Sequence, residues 1–205
     1  MRAKMVHRGL AIVLGTFIIS HLGVHLFALA GREAHMAALD AIQWIYRNPV
    51  GESVLVLAIL TQIFTGARRL RFKGIQGWAR AQVISGIYLM IFLILHASAA
   101  LYTHHIFGLE TDFYWAAGTM YYPVLRIGFG LYYFAAIMAV FTHLAAALHF
   151  GWPGISRWWV RSLPMIGASI AVLILTAFAG VFYTIELTDG AAAYYQKNFG
   201  SLAPR

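Results

Sequence analysis

Five apolar runs, each long enough to cross a lipid bilayer, constrain this chain more than any other feature. They cover residues about 9–30, 50–67, 82–102, 124–148 and 163–185. A spanning helix takes roughly 20 apolar residues. In the hydrocarbon region only helices and closed barrels satisfy their own backbone groups. The runs take up most of the 205 residues and leave no room for a soluble domain. Only 11% of the chain is charged, where a soluble domain carries roughly 25%. The expected fold is therefore all-α: one domain over 1–205, a bundle of five transmembrane helices. No cysteine is present, which excludes a disulfide, a thiolate ligand or an iron–sulfur cluster held by this chain. The first run starts basic but is too long for the core of a removable signal peptide, so none is expected.

Charge predicts an orientation. Arg2, Lys4 and Arg8 precede the first run, Arg68, Arg69, Arg71, Lys73 and Arg80 follow the second, and Arg157 and Arg161 follow the fourth. These three segments hold ten basic residues and no acid. All seven acids fall in the other segments: Glu33, Asp40, Glu52, Glu110, Asp112, Glu186 and Asp189. The positive-inside rule then places the N-terminus in the cytoplasm and the C-terminus outside. The net charge of +8 reads as an orientation signal with some attraction for anionic headgroups, not as a nucleic-acid footprint. Tryptophans and tyrosines near the run ends (Trp44, Trp78, Trp115, Tyr121, Tyr122, Trp158, Trp159) form an interfacial belt.

The first run contains "IISHLGVHLF", which puts His21 and His25 one turn apart where every neighbour suits lipid. Ionisable groups at such depth are costly and face the bundle interior. With a rise of about 1.5 Å per residue, His21 and His96 lie at matching height in the outer half of the first and third runs. His143 lies in the inner half of the fourth, and His149 at its inner mouth. One histidine in a span serves well as interhelical hydrogen-bond glue. Two at one height on different helices point further, to a haem iron held by one imidazole from each. Haem b needs no cysteine anchor. Gly15, Gly23, Gly86, Ala97 and Ala99 offer room for a porphyrin.

Three stretches carry a resemblance. The segment from "GTFIISHLGVHLFALAGREAHMAALDAIQWIYRNPVG" to "TQIFTGARRL", then "LMIFLILHASAALYTHHIFG", then "FTHLAAALHFGWPG" together resemble the five-helix cytochrome b membrane-anchor subunit of the succinate dehydrogenase/fumarate reductase family. The likeness covers about residues 8–155. It implies haem ligands at His21, His96 and His143, with His25 where the family commonly has Asn. It implies a quinone as redox partner, and a flavoprotein and an iron–sulfur subunit docked on the cytoplasmic face. It also implies membrane lipid as the surroundings and a bacterial inner membrane as the location; a homo-oligomer is compatible with it.

One departure stands out. Where the family's second helix carries a histidine for an inner haem, this chain has Gln62, a poor iron ligand. One haem b is therefore expected, in the outer half, with a second allowed only if His143 finds another partner. His7 is the candidate substitute, and a hydrogen bond from His143 to Gln62 is the expectation otherwise. The resemblance makes Glu52, at the outer end of the second helix, a candidate for proton transfer with quinol. The plain reading is an interfacial carboxylate. His104 and His105, just beyond the third run, suit the interface or haem propionates, along with Arg126.

Two classes of function follow. One is a haem b cytochrome that exchanges electrons with quinone, as a dehydrogenase anchor or alone. The other is an orphan haem-binding protein or a metal-dependent membrane oxygenase, for which His21, His25, His35, His96, His104 and His105 supply imidazoles. Residues 31–49 read as a short helix lying on the outer surface, with Met36, Leu39, Ile42 and Trp44 on one side.

Overall fold

The structure, a computed structural model, describes residues 2–70 and 72–203, with Arg2 and Ala3 as backbone only. Among the described residues eight α-helices follow one another: α1 (Arg2–Leu26), α2 (Arg32–Tyr46), α3 (Pro49–Ala67), α4 (Gly77–Leu101), α5 (Phe113–Tyr121), α6 (Pro123–Gly151), α7 (Arg157–Phe178) and α8 (Asp189–Phe199). Among the described residues five helical segments are long and apolar enough to cross a membrane: Lys4–Ala30, Pro49–Ala67, Gly77–Phe107, Pro123–Gly151 and Arg157–Phe178. They match the five runs, with one shift. The fifth was expected at 163–185. It starts earlier, where the Ser156 hydroxyl accepts from the Trp158 N–H. It stops at Phe178 because Gly180 turns the backbone to a φ of +73°.

Each start has a local cause. Asn48 accepts the Gly51 N–H at 2.9 Å and donates to the Trp44 and Ile45 carbonyls, and Pro49 opens α3. Asp112 accepts from the Tyr114 and Trp115 N–H groups and starts α5. Thr188 caps α8. Beyond Leu101, α4 continues through a π-helical turn over Tyr102–Phe107, ended by Gly108 in the left-handed region (φ +74°).

The three short helices α2, α5 and α8 bridge or follow spanning helices at one end of the bundle, here called the capped end. All seven acids sit there. Arg68, Arg69, Lys73, Arg80, Arg157 and Arg161 sit at the opposite, basic end. α6 is the hub, packed closely on α7 and next on α4, while α3 packs mainly on α1. Gly167 permits the α6–α7 approach: a Cβ there would meet Phe141 at 2.8 Å. Tyr88 on α4 donates to the Tyr132 carbonyl on α6 at 2.7 Å. The core lies toward the capped end, around Ala28, Phe113, Met120, Ile137, Ala171, Ile174 and Phe178.

The helix expected at 31–49 forms as α2, but its buried side is His35 and Leu39, four residues apart. Trp44 is 72% exposed.

Candidate functional site: a histidine-lined cavity

His21 from α1, His35 from α2 and His96 from α4 meet at a cavity of about 260 Å³ in the capped half of the bundle. His25, one turn above His21, lines it too. Phe17, Trp115, Tyr133 and Phe178 supply much of the remaining wall.

The imidazoles form an ordered train. His35 Nε2 lies 3.2 Å from His25 Nδ1, and His25 Nε2 lies 3.2 Å from His21 Nε2. The middle ring thus uses both nitrogens. Each end ring keeps Nδ1 buried with no partner among the described residues. An orphaned buried polar atom is costly and calls for a ligand or a function. Burial pushes His35 down to about 4, with His21 adding to the effect, so this ring stays neutral at physiological pH. His96 faces the train from α4. Among the described residues its ring meets His21, Phe92 (stacked, 5.0 Å), Trp115 and Tyr133.

The His21 and His96 ring centroids are 6.2 Å apart. Two metal–imidazole bonds of about 2.0 Å in line, plus about 1.1 Å from each ring centre to its nitrogen, give a separation of about 6.2 Å. A metal takes one nitrogen of each imidazole and leaves the other to a hydrogen bond that orients the ring. His21 divides its two nitrogens in this way, one on His25 and one unpartnered. That separation and that division of nitrogens are what a bis-imidazole iron would need. At 260 Å³ the cavity lies below the ~300–1,000 Å³ of ordinary ligand sites, so a macrocycle must widen it. Of the five small residues expected to make room, Ala97 lines the cavity, with Ala100 and Ala116 beside it. Ala99 faces outward, Gly86 packs on His143, and a Cβ on Gly15 or Gly23 would meet nothing within 4 Å.

At the capped end of the cavity, polar groups collect. Glu52 lines it and bonds His105 at 2.7 Å; His105 is half exposed. Arg47 also lines it. Its guanidinium bonds Thr111 and sits 3.8 Å from Glu110, which His104 approaches at 3.5 Å. Arg47 Nε and Trp115 Nε1 are buried donors with no partner. Asp112 lines the same end, its carboxyl pushed up by burial. Arg126 is not part of this group: it donates to the Met120 and Tyr121 carbonyls and closes the end of α5.

The inner pair expected at Gln62 and His143 does not form. His143 Nδ1 lies 3.2 Å from both the Gln82 carbonyl and the Ser85 hydroxyl on α4, whereas Gln62 Oε1 is buried with no partner. A carbonyl only accepts, so His143 carries its proton on Nδ1 and leaves Nε2 free. His7 Nδ1 bonds Thr65 at 3.0 Å, and His7 lies within electrostatic reach of His143.

His35 and Arg47 were the residues the sequence reading undervalued. The signal for His35 was its four-residue spacing from Leu39 on the apolar side of α2. For Arg47 no local pattern separates it from an ordinary interfacial arginine. Among the described residues no group of three His, Asp or Glu side chains converges as on one metal ion.

Compared with known proteins, the chain matches no family, no curated protein and no solved structure.

Proposed function

We propose that the chain is a haem b membrane cytochrome that carries electrons to or from a membrane quinone, in the manner of the cytochrome b anchor subunits it resembles. The observation that carries this reading is the 6.2 Å separation of His21 and His96 across one cavity, on two different spanning helices. Haem bound there supplies one-electron iron chemistry. His21 and His96 would hold the iron, His25 and His35 would hold the His21 ring, and a wall of apolar side chains would limit water. Glu52 and His105 offer a proton a two-step route between the cavity and the capped surface.

The gathering of basic residues at one end supports an N-terminus in the cytoplasm and a C-terminus outside, in a bacterial inner membrane. The same basic end is where a flavoprotein and an iron–sulfur subunit would dock. Purified protein is expected to show a reducible low-spin haem b spectrum; a colourless protein that binds non-haem iron would reverse the reading toward an oxygenase.

The stoichiometry follows from Gln62. An amide oxygen is a hard, weak donor beside imidazole, so one haem per chain is expected. Gln62→His would put a second imidazole opposite the free Nε2 of His143. Its expected outcome is a rise in haem content from one toward two per chain; a ratio that stays at one would show that these positions do not face each other.

A further inference from the structure

His96 and Tyr133 form a partition. On one side they line the histidine cavity, and on the other a membrane-facing groove of about 500 Å³ between α4 and α6. The rest of the groove is almost wholly apolar. Leu95 and Ala99 of α4 form one wall, Val124, Gly128 and Phe129 of α6 the other, and Leu202 from the C-terminal segment closes it toward the capped end. A Cβ on Gly128 would meet nothing within 4 Å, so the missing side chain is part of the opening. Leu95 and Val124 are more than half exposed to what is hydrocarbon in a bilayer. Only a lipid-soluble molecule can enter from there.

The floor of the groove is different. The His96 and Tyr133 rings meet edge to face there, with centroids 6.2 Å apart, and bring an imidazole and a phenol hydroxyl to an otherwise apolar lining. An acyl chain has no use for such groups. A flat ring with a carbonyl oxygen and an apolar tail does: Tyr133 donates to the carbonyl, the ring lies among Phe129, Tyr132 and Tyr133, and the tail runs out along Leu95 and Val124.

We infer that this groove between α4 and α6 is the binding site of the lipid-soluble quinone, entered directly from the membrane and separated from the histidine cavity by His96 and Tyr133 alone. This rests on the proposed quinone-linked function and gives it a place. Its consequence is that the quinone reaches the candidate haem ligand His96 from the membrane side, not through the Glu52 end of the cavity.

The test uses the full chain in lipid nanodiscs and an azido-decylquinone photoprobe. Label is expected on 95–99 and 124–133, and excess decylquinone should compete it away. Gly128→Leu fills the groove and should weaken quinone binding at least tenfold. Ala99→Phe fills it from the other wall and should do the same. Gly130→Leu, on the same helix but outside the groove, should bind as the parent does. Label on another helix, parent-like binding by both groove variants, or displacement by phospholipid but not by quinone would overturn the inference. Haem absorbance read on the same samples keeps the two ideas apart. A labelled groove without haem would defeat the cytochrome reading alone, and a haem protein with an unlabelled groove would defeat this inference alone.

Discussion

Replacing His21 or His96 with alanine is expected to abolish low-spin haem. Each change would remove one of the two protein ligands that the proposed haem has. Altering an outer partner of a ligand already costs on the order of 10–100-fold in affinity, and loss of a ligand itself should exceed that. Optical and electron paramagnetic spectra read the result: loss of the pigment, or conversion to a high-spin form. His25→Ala should behave differently. His25 has both nitrogens engaged, one on His21 and one on His35, so it would orient a ligand without binding the iron itself. Its removal should leave a low-spin spectrum with weaker haem retention. Unaltered low-spin spectra in both the His21 and His96 variants would remove the assignment.

The largest stability effect is expected at Gly118. A Cβ built there would overlap the Tyr195 ring at Cε2, and no rotation of Gly118 itself relieves it. Tyr195 cannot yield cheaply. It is 1% exposed, its hydroxyl donates to the Trp115 carbonyl, and it pins α8 onto α5. Gly118→Ala should therefore destabilise by about 3 kcal/mol, the upper end of overpacking costs with a buried hydrogen bond strained as well. Thermal unfolding in detergent should show the drop in apparent melting temperature. Haem retention should fall with it, because Trp115 forms part of the wall beside His96. A stability equal to the parent would mean that α8 does not dock this way.

The five spans were legible because apolar length alone defines them, and the meeting of His21 with His96 was legible because depth in a straight helix is a count of residues. Three things were not. The fifth span slid toward the N-terminus, since its apolar run continues past Gly180 while the backbone does not. The helices α5 and α8 rest on caps at Asp112 and Thr188, and on a Tyr195–Gly118 contact that joins residues far apart in sequence. The train from His35 through His25 to His21 required knowing that α2 folds back over the end of α1; the sequence pattern says only that α2 has a buried side. Gln62 carries the opposite lesson. The bond expected from it to His143 fails because α4 supplies Ser85 and the Gln82 carbonyl first.

The central claim is that His21 and His96 hold one haem b in the capped half of the bundle. Pyridine haemochrome quantitation of the purified full chain, against protein mass from amino-acid analysis, tests it most directly. The account predicts a ratio near one haem b per chain in the parent and near zero in His21→Ala and His96→Ala. A parent ratio near zero, or one that stays near one in both variants, would contradict it.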